Sequence, residues 1–163
     1  MYDFQFQTVS RIISGLGSIQ ELTTVLTEQG GKKVLLVTDN GMLQQQLHHP
    51  ILEILEHLSL VHVIYADVIA DPPEHVVNSA VEFAKQEKID TVIGFGGGSS
   101  LDVAKLIAIL AHPDQSQKLA ELYGINNAKS PRLPLILIPT TAGTGSEVTP
   151  ISIVTTEIGR ANV

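Results

Sequence analysis

Thr91-Val-Ile-Gly-Phe-Gly-Gly-Gly-Ser-Ser-Leu-Asp-Val-Ala-Lys105 decides how this chain is read. A short apolar run, Thr91 to Ile93, leads into a glycine-rich turn, and a serine then opens an apolar, helix-forming segment. The order is strand, turn of phosphate size, helix N-terminus. Backbone N–H groups at a helix start have no intrahelical partner and can hold an anion. Gly96 to Gly98 remove the side chains that would keep a phosphate away from them. The competing reading is a tight turn with a capped helix, because Ser99 and Asp102 have the S-x-x-D spacing of a capping box. A cap needs one serine, however, not three preceding glycines. The segment is not the G-x-G-x-x-G dinucleotide fingerprint, since serine stands in place of the third glycine and no acidic residue closes a following strand.

The rest of the chain repeats strand and helix. Val34 to Val37 and Val61 to Tyr65 are short apolar strands, and so is Leu135 to Ile138. Ile19 to Gln29, parts of Met42 to Leu58 broken near Pro50, Glu74 to Glu87, and Leu101 to Ala111 have helical spacing. Ser18 and Glu21 have capping-box spacing, and Gly30-Gly31 ends the first helix. Asp114 to Lys129 is polar and reads as helix plus loop. Strands that are apolar throughout and alternate with helices imply a parallel sheet covered on both faces. The fold class is therefore α/β: a Rossmann-like, open, mainly parallel sheet. Alternation over residues 2–9 adds an N-terminal β-hairpin with Arg11 to Ile13, and Val148 to Thr156 begins a second one. Residues 157–163 carry no recognisable element.

Two further segments lie at strand C-termini, where open α/β sheets bind ligands. Pro139-Thr-Thr-Ala-Gly-Thr-Gly-Ser-Glu147 offers hydroxyls and amides for ribose or phosphate oxygens, although such residues are also common in plain turns. Asp39 follows Val34–Val37. A carboxylate there can accept bonds from both hydroxyls of an adenosine ribose and repels a 2′-phosphate, which favours NAD over NADP. An Asx-turn with Asn40-Gly41 explains it as well. Lys105 reads as a solvated lysine or a partner for Asp102 rather than a phosphate ligand. The histidines form no metal set: adjacent His48 and His49 diverge on a helix, and Pro72-Pro73 separates Asp71 from His75.

Composition narrows the function. The chain has 163 residues, 44% hydrophobic and 17% charged, which suits one globular core. Its net charge of −7 argues against nucleic acid as a partner. It has no cysteine, which removes thiolate metal sites and cysteine nucleophiles and agrees with a reducing cytoplasm. The N-terminus lacks the pattern of a signal peptide, and no apolar run is long enough to span a membrane.

Gly96-Gly-Gly-Ser-Ser-Leu-Asp-Val-Ala-Lys105 and Pro139-Thr-Thr-Ala-Gly-Thr-Gly-Ser-Glu-Val-Thr149 together resemble the iron-containing (group III) alcohol dehydrogenase family. Phe95, Ile153-Val-Thr155 and Gly15-Leu-Gly17 fit the same pattern. The resemblance implies that residues 1–163 are an N-terminal dinucleotide-binding domain. It also implies that the family's helical metal-binding domain, with one aspartate and three histidines for divalent iron or zinc, lies beyond Val163. It implies that Asp39 contacts the adenosine ribose of NAD, that Gly97, Gly98 and Ser99 hold the pyrophosphate, and that Thr140, Thr141 and Thr144 contact the cofactor from the second loop. Asp102, Ser146, Thr149 and Ile153 are further candidates, Ile153 by apolar contact with the nicotinamide end. The implied substrates are alcohols, aldehydes or ketones, and the implied assembly is a homodimer formed through the N-terminal strand. Ser100 departs from a frequent proline, and Asp71 from a frequent asparagine. Glycerol dehydrogenases and dehydroquinate synthases share the architecture, but the 140–149 loop favours alcohol dehydrogenase. The other reading of the chain is a free-standing nucleotide-binding or assembly module without catalysis.

Overall fold

In a computed structural model, which describes residues 8–124, 126–157 and 159–163, the apolar runs become a four-stranded parallel sheet. Its strands are β1 (Lys33–Val37), β2 (Val61–Tyr65), β3 (Thr91–Gly96) and β4 (Leu135–Pro139), in the order β2-β1-β3-β4. Val34 pairs with His62 on one side and Thr91 on the other, and Val92 pairs with Leu135. The chain moves outward from β1 to β2 and then crosses to β3 on the other side of β1. The order reverses there, so the β1/β3 crevice is the topological switch point at which such sheets place ligands.

Helices cover both faces. Alternate residues of each strand point to opposite layers. Val34, Leu36, Ile93 and Phe95 pack with Leu22 and Leu26 of α1 (Leu22–Gln29) and with Ile51, Ile54 and Leu55 of α3 (His49–His57). Leu35, Val37 and Val92 pack with Val77, Ala80 and Ala84 of α4 (Glu74–Gln86) and with Val103, Ala104 and Ile107 of α5 (Gly98–Leu110). The short α2 (Asn40–Gln44) separates β1 from α3, and Pro50 falls in the first turn of α3, where its missing N–H costs nothing.

Several local expectations change. Ser18 does not cap a helix. Left-handed Gly17 (φ 73°) leads into a 3₁₀ turn over Ser18–Glu21, and α1 starts after it without a side-chain cap. Gly30, at φ 70°, ends α1 as its sequence implies. Ser99 and Asp102 do not form a capping box either. Helix α5 begins at Gly98 with Gly97 as its N-cap and no capping side chain, which frees Asp102 for another partner. The expected N-terminal hairpin falls partly on residues 1–7, outside the described residues, and Thr8 to Ser14 contain no strand. The second hairpin forms: β5 (Ile153–Thr156) pairs antiparallel with β6 (Gly159–Asn162), so the final residues carry an element the sequence did not announce. Between Asp114 and Lys129 the only helical element among the described residues is a 3₁₀ turn at Leu119–Leu122.

Contact between β3 and α5 is set by one residue. A Cβ on Gly94 would lie 2.7 Å from the Ala104 Cβ and 2.9 Å from Leu137 Cδ2. Both neighbours are in the core, so Gly94→Ala should lower unfolding free energy by about 1–3 kcal/mol through overpacking, measured by urea denaturation. Tyr65 supplies a pH test. Burial first, and the Asp67 charge second, raise its phenol above the ordinary 10.0. The folded state therefore holds this proton more tightly than the unfolded chain does. Its contribution to stability is complete below about pH 10 and declines as pH rises through the raised value. Tyr65→Phe should flatten that alkaline decline in a pH series of melting temperatures.

Candidate functional site

Four segments converge at the C-terminal edge of the sheet. The first is the turn from β3 into α5. Gly96 has φ 140°, a conformation that side chains rarely adopt, and its carbonyl accepts the Thr140 N–H at 2.9 Å. The first intrahelical bond of α5 runs from Leu101 N to the Gly97 carbonyl at 3.1 Å. The N–H groups of Gly98, Ser99 and Ser100 therefore precede the ladder, at the positive end of a 13-residue helix.

Asp39 is the second segment. It is the N-cap of α2, with Oδ1 accepting the Met42 N–H at 3.1 Å, so the local role anticipated for it is real, as a cap rather than a free turn. Its Oδ2 faces the Ser100 hydroxyl at 3.5 Å and lies 3.3 Å from where a Gly96 Cβ would be. The carboxylate is half-buried beside the glycine turn, and each oxygen keeps lone pairs for a further donor. Ser100, marked in the sequence only as a departure from a frequent proline, links the two segments.

The 140–149 loop is the third. A Cβ on Gly98 would sit 3.2 Å from both Ser146 Oγ and Thr144 Cβ, and one on Gly97 would sit 3.6 Å from Thr141 Oγ1. The second loop thus walls the first at glycine distance. Thr140, Thr141 and Thr144 are exposed in this wall, whereas Ser146 is buried. Thr144 Oγ1 accepts the Ser146 N–H at 3.3 Å, and the loop closes with Val148 and Thr149 N–H groups on the Gly145 carbonyl.

The fourth segment is around Asp71, at φ 49°, whose N–H donates to Ser99 Oγ at 3.3 Å. Its carboxylate meets Arg160 of β6 at 2.6 Å, and its carbonyl accepts the Thr155 hydroxyl at 3.0 Å. The hairpin is tied to the glycine turn through this residue.

Asp102 and Lys105 lie below the edge rather than on it. They are 5% and 7% exposed, so Lys105 is not a solvated lysine. Asp102 Oδ1 pairs with Lys105 Nζ at 2.9 Å, while Oδ2 accepts the Ile153 N–H at 3.0 Å. Ile153 itself is 40% exposed. Asp102 therefore commits its carboxylate to Lys105 and the Ile153 main chain rather than presenting it at the surface. The D-x-x-K spacing was the signal for this pair, but the main-chain partners that bury it lie far along the sequence.

Among the described residues, no three His, Asp or Glu side chains converge as a metal set. His48 and His49, at the N-cap and first position of α3, do not diverge: their rings meet edge to face with centroids 4.7 Å apart. A cavity of about 500 Å³, lined by Lys105, Leu106, Ile109, Leu135, Leu137 and the stretch from Glu147 to Ser152, lies on the flank of α5 and β4, and none of Gly96, Gly97 and Gly98 lines it. No helix among the described residues is long and apolar enough to cross a membrane.

Comparison with known proteins agrees with this architecture. The long-chain-alcohol dehydrogenase 1 of Geobacillus thermodenitrificans is 40% identical over 144 residues, which cover 88% of this chain and 36% of that protein. The solved NADH-dependent butanol dehydrogenase A of Thermotoga maritima superposes with a TM-score of 0.87 at 27% identity, covering 100% of this chain and 41% of that one. Sulfoacetaldehyde reductase from Bifidobacterium kashiwanohense, solved in complex with NAD+, superposes with a TM-score of 0.78 at 26% identity, covering 90% and 39%. The chain thus spans about two fifths of the length of these relatives. The profile of the iron-containing alcohol dehydrogenases matches residues 9–162. A parallel sheet with its glycine turn at the switch point, a threonine-rich wall beside that turn and these similarities place the chain in the iron-containing alcohol dehydrogenase family.

Proposed function

We propose that residues 1–163 form the NAD(H)-binding domain of a metal-dependent alcohol dehydrogenase that interconverts alcohols with aldehydes or ketones. The observation that carries the reading is the glycine cradle: the N–H groups at the start of α5 precede its hydrogen-bond ladder, and Gly97 and Gly98 let the Thr141, Thr144 and Ser146 side chains stand 3.2–3.6 Å from where a Cβ would be. Such a cradle suits a pyrophosphate, held by N–H donors and the helix dipole although the chain as a whole is acidic. Asp39, beside it, accepts the adenosine ribose hydroxyls. Gly97, Gly98 and Ser99 take the pyrophosphate, and Thr140, Thr141 and Thr144 donate from the opposite wall. Ser146 backs Gly98, while Thr149 and Ile153 border the nicotinamide end, the latter held by Asp102. The Thermotoga and Bifidobacterium relatives, named for NADH dependence and solved with NAD+, support the choice of dinucleotide.

Bound NAD supplies a hydride acceptor for an alcohol, and its reduced form a donor for a carbonyl. The residues of this chain orient the cofactor and fix which one enters. Among the described residues no ligand set for the family's divalent metal is present, and the chemical step calls for residues outside them. A freely functioning nucleotide module would bind mononucleotides equally well, which separates it from this reading.

Calorimetric titration should show NAD binding at least about tenfold tighter than NADP, since Asp39 repels a 2′-phosphate. Equal affinity for ADP, NAD and NADP would favour the module. Asp39→Ser keeps an N-cap hydroxyl, so stability should hold while the NAD preference narrows. Asp39→Ala should in addition cost about 1 kcal/mol of stability through the lost cap. The purified chain should bind NAD without oxidising alcohols, and turnover by these residues alone would refute the division of labour.

A further inference from the structure

A buried ion pair sits in the middle of α5, a helix whose residues Ser100 to Ala108 are all buried. Both of its members are committed to one stretch of main chain. Lys105 Nζ donates to the Thr149 carbonyl at 3.3 Å and to the Ile151 carbonyl. Asp102 Oδ2 takes the Ile153 N–H at 3.0 Å, and the Asp102 carbonyl takes the Ser152 hydroxyl at 3.3 Å. Backbone bonds hold the two ends of residues 149–153, Thr149 N–H on the Gly145 carbonyl and Ser152 in a mutual pair with Val163. Between them Pro150 has no N–H, and the Thr149 and Ile151 carbonyls are taken by Lys105 of α5.

This arrangement is more than an answer to burying charge. A buried pair contributes little net stability compared with apolar residues of the same size, yet it fixes geometry. Lys105 fixes carbonyls and Asp102 an amide, so the two read opposite polarities of the same segment and set its register on the helix. The same helix carries the glycine cradle at its N-terminus. We infer that Asp102 and Lys105 are positioning residues that lock the Thr149–Ile153 segment to α5, so that the cradle and the nicotinamide-side wall are held as one rigid unit. The inference rests on the NAD reading of the site for its ligand, though not for its geometry.

The test separates the two halves of the dinucleotide. Asp102→Leu with Lys105→Met removes both charges at similar volume, a replacement that folds retain. Asp102→Asn is the milder second variant, which breaks the charge pairing at almost unchanged shape. Each is titrated with NAD and with ADP, and amide hydrogen exchange is measured at Ile153. The double variant should lose roughly tenfold in NAD affinity, with ADP affinity held within about twofold, and the Asp102→Asn variant should lose less. Ile153 exchange should accelerate in the double variant while the amides of Leu101 to Val103 stay protected. Equal losses for NAD and ADP, or none, would overturn the inference, and unchanged Ile153 exchange would overturn it without reference to any ligand. Failure of the unsubstituted chain to bind either nucleotide would instead remove the NAD reading, leaving the exchange result to decide the lock.

Discussion

Everything at the site depends on how closely α5 can lie against β3. Strand and helix approach at Gly94, where the space for a side chain is already taken by Ala104 and Leu137. That contact puts the start of α5 directly over the sheet edge, and the chain must then reverse within Gly96 and Gly97. The β3–β4 ladder runs to its last registered pair, Gly96 with Pro139, and the Gly96 carbonyl then accepts the Thr140 N–H, so the turn that starts α5 also anchors the loop that walls it. Packing, turn and binding surface are one constraint seen at three levels.

Charge is distributed in keeping with this. An acidic chain of net charge −7 offers a phosphate no long-range attraction. What attraction exists is local, from oriented N–H dipoles. Asp39 sits within reach of those dipoles, where a carboxylate is favoured electrostatically as well as by its cap on Met42. Asp102 is kept out of that field by burial and neutralised by Lys105. One acid is thereby left half-exposed beside the glycine turn and the other buried below it.

Much of this was legible in the residues. Apolar strands such as Val34–Val37 imply a sheet covered on both faces, and three glycines between strand and serine mark the tight turn into a helix. Asp39 stands out because it closely follows a strand. The misreadings share a cause. Ser18–Glu21 and Ser99–Asp102 both have capping-box spacing, but spacing cannot register a neighbouring glycine that starts the turn or helix earlier. Asp102 turns instead to Ile153, 51 positions away, a partner no local pattern contains. The second strand of the closing hairpin is invisible for the opposite reason: Gly159 to Asn162 is a weak strand by composition, and pairing with Ile153–Thr156 makes it one.

Asp39 follows β1, the glycine turn follows β3 and Thr140 follows β4, so the binding surface is contributed by stretches about a hundred residues apart in sequence and exists only once the central strands are registered. A ligand spanning all of them has no counterpart site in the unfolded chain. Its binding energy therefore adds to the folding equilibrium in full, growing with the logarithm of its free concentration. Such a ligand would act as a cross-link does, joining distant parts of the chain, but one that leaves and returns with supply.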